Sequence, residues 1–144
     1  MLFMDDLAGS GGPLISPATL RTLYFPRLRE VIATLAAGGV RVLFHSDGDL
    51  GSLHRDILQA GVAGLHPVEP VGGWGLERAA SSPEIVLVGN GALGRIGASI
   101  HAAEAEGRRC SAFGERHQAY FLAPAAEAAP DVPEEHWLAF YGAA

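Results

Sequence analysis

Residues 40–49 read Val40-Arg41-Val42-Leu43-Phe44-His45-Ser46-Asp47-Gly48-Asp49, an apolar run that ends abruptly in polar side chains. Its β-branched and aromatic members favour a strand, and its tip delivers an imidazole and carboxylates together, the pattern of a parallel strand whose C-terminal end faces a ligand. Three more runs repeat it. Leu2-Phe3-Met4 ends in Asp5-Asp6, Val62 to Leu65 ends in His66-Pro67-Val68-Glu69-Pro70, and Ile85 to Val88 ends in Gly89-Asn90. A helical pattern follows each run, so the alternation predicts an α/β fold built from four parallel βα units.

The helices can be read from their punctuation. Ser16-Pro17 supplies an N-cap and a proline at the first helical position. Pro26 interrupts the turn that carries Leu20, Leu23 and Tyr24, which predicts a long helix in two parts, stopped by Gly38-Gly39. Leu50, Leu53, Ile57 and Leu58 share the face of a second helix that stops at Gly61. A short helix is expected around Leu76 to Ala80, and another, with Leu93, Ile96 and Ile100 on one side, is expected to close at Gly107. Beyond it, Cys110 to His117 reads as a strand or extended loop, and Ala123 to Ala129 as a surface excursion. A last helix begins near Asp131 and Pro133, with Glu134 and Glu135 in its first turn. No linker divides the chain, so residues 1–144 read as one domain or part of one.

Composition narrows the function classes. The 144 residues carry 16 acidic and 10 basic side chains, and the basic ones, all Arg, are scattered, which disfavours nucleic acid as a partner. The single cysteine, Cys110, offers neither an internal disulfide nor a thiolate zinc site. No run approaches the roughly 20 apolar residues of a membrane helix, and no leader pattern opens the chain, so a cytoplasmic protein without a membrane partner is expected. Gly9 to Gly12 lacks the Lys-Ser/Thr ending of a phosphate-binding loop, and no Gly-x-Ser-x-Gly elbow is present.

The polar residues gather where strands end. Asp5, Asp6, His45, Asp47, Asp49, His66, Glu69 and Asn90 all lie just past predicted strands, so they are expected to converge on one mouth that takes a small-molecule substrate. Such loops also use Asp and Asn as caps, and Asp49 and Asp131 are read that way. His54 and His136 are read as surface residues and His101 as a structural helical one. His45, Asp47, His66 and Glu69 form a ligand set suited to zinc, iron or manganese.

Several segments, taken in order, resemble a known family. Phe3-Met-Asp-Asp-Leu-Ala-Gly, Ile15-Ser-Pro, Tyr24-Phe-Pro, Leu43-Phe-His-Ser-Asp-Gly-Asp, Gly64-Leu-His-Pro-Val-Glu-Pro and Leu87-Val-Gly-Asn resemble the second half of the uroporphyrinogen decarboxylase family, which also includes corrinoid-dependent methyltransferases. The closing Asp131-Val-Pro-Glu-Glu-His-Trp-Leu-Ala looks like the family's last segment. The resemblance implies the C-terminal half, (β/α)4, of a TIM barrel that opens at strand five. It also implies that the exposed edges and inner face are completed by a second copy of the chain or by an N-terminal half-barrel partner.

For function, the resemblance implies decarboxylation of a tetrapyrrole or related carboxylate without a cofactor, on an incomplete site. The expected catalytic groups are then Asp6, His45, Asp47 and His117, the last an approximate counterpart of a late family histidine, and the expected substrate contacts are Asp5, His66, Glu69 and Asn90. The alternative within the fold is methyl transfer with a corrinoid or thiol, which expects zinc on His45, Asp47 and Glu69. There the family's His-x-Cys zinc motif is matched by His45-Ser46-Asp47, which lacks the thiolate. Gly75 and Ala92 also stand where family members usually carry acids. A third possibility is a non-catalytic, truncated or degenerate domain.

Overall fold

A computed structural model describes residues 1–81 and 83–143. Its centre is a five-stranded parallel sheet of β1 (Leu2–Met4), β4 (Leu43–His45), β5 (Gly64–His66), β6 (Val86–Gly91) and β7 (Tyr120–Pro124), ordered as in the sequence. Sequential and parallel, with helical segments in each crossover, these strands form part of a TIM barrel. The Gly-rich loop after β1 is a small hairpin, β2 (Ala8–Gly9) and β3 (Gly12–Pro13). Among the described residues no helix is long and apolar enough to cross a membrane.

Strand register sorts the side chains. Phe3, Phe44, Leu65, Leu87 and Tyr120 are aligned across the sheet and face the helices, and Phe44, Leu65 and Leu87 are all but inaccessible to solvent. The next row, Met4, His45 and His66, therefore points to the opposite, concave face, because strand side chains alternate. Leu2, Met4 and Phe121 on that face are exposed by 44%, 67% and 63%, as expected of a barrel interior that five strands leave open.

The helical layer follows its sequence signals with informative exceptions. Ser16 Oγ accepts from the Thr19 N–H at 3.1 Å at the start of α1 (Pro17–Thr19). The chain then passes Pro26 through one π-helical turn, Leu20–Tyr24, in which the Phe25 N–H reaches back five residues to the Leu20 carbonyl, and continues as α2 (Phe25–Ala37). The expected helix after β4 is α3 (His54–Gln59), and α4 (Leu76–Ala79) is a single turn.

The C-terminal third departs from the expected layout. Gly107 does not end a helix. After α5 (Leu93–Ile96), the longest helix, α6 (Ile100–Gly114), runs straight through it, because α7 (Glu134–Gly142) packs so closely there that a Cβ on Gly107 would overlap the Phe140 carbonyl oxygen. Cys110 is thus a buried helical residue: where the sequence predicts a strand or extended loop across Cys110 to His117, α6 continues to Gly114, and the strand lies further on as β7, whose last residues, Ala123 and Pro124, fall in the predicted surface excursion. The sheet consequently has five strands where four apolar runs predict four. Pro133, not Asp131, occupies the cap position of α7. His136 is buried, its Nδ1–H donating to the Ile96 carbonyl at 2.8 Å, and His54 is half-buried with its ring edge-on to Trp74 at 5.0 Å.

Candidate active site

The C-terminal tips of β1, β4 and β5 bring Asp6, His45, Asp47 and His66 together on the concave face. The loop after β4 is held from three sides. Ser46, fully buried, accepts the Leu7 N–H at 3.0 Å and donates to the Asp47 carbonyl, the Asp47 N–H donates to Asp6 Oδ1 at 3.1 Å, and the Gly48 N–H donates to Glu69 Oε2 at 2.7 Å. Gly48 has φ +85° and lies against the β2 backbone, where a Cβ would come 2.5 Å from the Gly9 carbonyl oxygen. Only glycine suits both demands. Asp49 Oδ1 accepts from the Gly51 N–H at 2.8 Å, which makes a turn and not the helix cap expected of it, because α3 starts later and Leu53 holds its cap position.

One donor atom from each of Asp6, His45 and Asp47 lies within 4.8 Å of the others. His45 Nε2 faces Asp6 Oδ1 at 3.7 Å, and its Nδ1 lies 2.8 Å from His66 Nδ1. Burial, followed by the neighbouring His45, pushes the His66 imidazole below the ordinary histidine range. Burial first, and then the exposed Asp5, raise the Tyr24 phenol above its usual value. A cavity of about 630 Å³ opens alongside, walled by Leu2, Met4, His45, Asp47, His66 and Glu127, and no arginine lines it among the described residues.

Three expected site residues stand elsewhere. His117 precedes β7 at the opposite edge of the sheet, where it is buried with its Nε2–H donating to the Ile85 carbonyl at 2.9 Å and its ring against Phe113. Asn90, buried at φ +75°, turns towards the helices: its Nδ2 donates to the Val68 carbonyl and its Oδ1 accepts from Arg109, whose guanidinium also grips the buried Glu106. Glu69 braces Gly48 and is not in the three-residue cluster, so the carboxylate that joins His45 and Asp47 is Asp6. Sequence reasoning missed Ser46 and Glu127. Ser46 was legible, as a hydroxyl between two strand-tip residues, but Glu127 sits in an Ala-rich segment that carries no signal.

A family model described as uroporphyrinogen decarboxylase (URO-D) matches residues 1–144. The chain belongs to the uroporphyrinogen decarboxylase family. No curated protein matches it. Among solved structures, a methyltransferase from Methanosarcina mazei superposes with a TM-score of 0.69 at 22% identity, over 99% of this chain and 40% of that one. That likeness establishes the fold of this family member, and the chain spans less than half the length of the barrel protein it matches. The uroporphyrinogen decarboxylase resemblance of the strand-end motifs and the partial-barrel expectation are both borne out.

Proposed function

We propose that the chain forms the C-terminal part of a barrel-mouth active site in which Asp6, His45 and Asp47 hold a divalent cation, zinc by preference, in an enzyme that transfers a methyl group to or from a small-molecule or corrinoid-bound partner. The observation that carries this reading is the convergence of one imidazole and two carboxylates from two adjacent strand tips within 4.8 Å. That donor set suits zinc, manganese or iron(II), and it needs no thiolate. Bound there, the cation would supply a Lewis acid at the mouth of the cavity. His45 offers Nε2, Asp6 and Asp47 neutralise the charge, and Glu69 with Ser46 keeps the Asp47 loop from swinging away. Leu2 and Met4 supply an apolar wall to the cavity. The rest of the pocket comes from further β/α units laid across the concave face.

Decarboxylation is the second reading, favoured by the family match over the whole chain. In it the bond to a substrate carboxylate breaks, carbon dioxide leaves, and the carbon left behind takes a proton, for which His45 is the placed donor. A cation must then hold the departing carboxylate. Among the described residues the cavity is lined by Asp47 and Glu127 and by no arginine, which leaves that demand unmet here and favours the metal reading.

Calorimetric titration of the purified chain with zinc chloride separates the two. One equivalent of zinc should bind, and Asp47→Asn and His45→Gln should each weaken binding by on the order of 100-fold. A wild-type chain that takes up no zinc, or variants that bind as well as wild type, would overturn the metal reading and return the decarboxylase to first place.

A further inference from the structure

We infer that His66 is a positioning residue rather than a substrate contact: it orients the His45 ring and fixes which of its nitrogens carries the proton, so that Nε2 is presented to Asp6 and Asp47. This rests on the metal reading for its purpose, although the geometry stands without it. His45 and His66 are register partners on adjacent parallel strands, both on the concave face, with ring centroids 5.1 Å apart and Nδ1 to Nδ1 at 2.8 Å. Two facing ring nitrogens at that distance must share a single proton, since two N–H groups would collide and two lone pairs would repel. If His45 is to give a lone pair from Nε2, a neutral ring must carry its proton on Nδ1, and that proton has one acceptor in reach, His66 Nδ1. His66 is then neutral with its own proton on Nε2.

Histidine ligands ordinarily donate their other N–H to a carboxylate, a carbonyl or water, and those partners orient the ring. Here the partner is a second imidazole. Strand pairing sets the placement, because a slip of one residue in β5 would turn His66 to the helical face and put Leu65 in its place.

The test compares wild type with His66→Phe and His66→Gln, using zinc chloride as the probe and long-range ¹H–¹⁵N spectra of the imidazoles as the readout. In zinc-loaded wild type, His45 Nδ1 should be protonated and His66 should carry its proton on Nε2. His66→Phe should weaken zinc binding about 10- to 100-fold at an unchanged melting temperature. His66→Gln, which offers an amide oxygen as acceptor, should recover most of that loss. A protonated or zinc-bound His66 Nδ1 in the loaded protein, or unchanged affinity in His66→Phe, overturns the inference while leaving the metal site standing. If wild type binds no zinc, the metal-free spectra decide. One proton shared by the two Nδ1 atoms and abolished by His66→Phe upholds the positioning role, and two rings behaving independently refute it.

Discussion

Replacing Glu69 tests whether its task is to brace the Asp47 loop. Its Oε2 accepts the buried Gly48 N–H at 2.7 Å, and Gly48 is pinned against the β2 backbone, so this amide cannot turn to water without moving the loop. Hydrogen bonds to a charged group contribute about 1.5–3 kcal/mol, and those between neutral groups about 0.5–1.5. Glu69 is half-buried, which places the loss in Glu69→Ala near 2 kcal/mol, whereas Glu69→Gln, keeping an acceptor without the charge, should lose about 1 kcal/mol. For a domain of this size the Ala variant should melt roughly 4–8 °C lower. Urea denaturation gives the energies, and amide exchange at Gly48 shows whether the bond itself has gone. An Ala variant as stable as wild type, with the Gly48 amide still protected, would refute the bracing role.

Two further outcomes follow from the α6–α7 side. Gly107→Ala should gain about 1 kcal/mol of helix propensity, but the new methyl meets the Phe140 backbone, and forcing the two helices apart costs about 1–3 kcal/mol or more. The urea midpoint should therefore fall, and a rise would mean that the two backbones are not in contact. Burial raises the Glu106 carboxyl, but Arg109, the Ala92 N–H and Arg95 together outweigh it and hold the group below the usual carboxylate range. A depressed folded value contributes stability above the unfolded pKa that is lost as pH falls through the folded one, so this pair supports the fold at neutral pH and fails in acid. In Arg109→Met the loss should move to higher pH and reach about 1–2 kcal/mol at neutrality, below the roughly 3–5 kcal/mol of a fully buried pair because the Arg109 side chain is 41% exposed and Arg95 remains 3.6 Å from Glu106. A pH–stability profile parallel to wild type would contradict it.

The strand tips were legible because two independent signals coincide there, a short apolar run and an abrupt polar ending. Asp6, His45, Asp47 and His66 are brought together as that logic requires. What failed was local reasoning about residues whose fate is set across the fold. Gly107 carries the mark of a helix stop, yet its neighbour is the backbone of Phe140 in another helix, which no window of sequence reveals. A helix stopped at Gly107 leaves residues 110–117 free to be read as a strand or loop near the mouth, whereas α6 runs to Gly114 and His117 lies at the far edge, ahead of β7. Tyr120 to Pro124 alternates too weakly, with exposed Phe121 on the open face, to announce a strand. Asn90 sat at a strand tip as expected, but a positive φ turned its amide away from the mouth, a choice made by Arg109 from α6.

Tyr120 packs against two apolar clusters at once, the larger one under α2, α3 and α4 and a smaller one formed by Ile96, Ala103, Cys110 and Phe140. Its hydroxyl is anchored on the Gly89 carbonyl at 2.8 Å, and its ring meets Phe113 edge-on. One phenol thus serves as the common boundary of both interiors, so that neither can melt without stripping the shared ring of neighbours. A loss of packing in either region is therefore felt by the other through this ring.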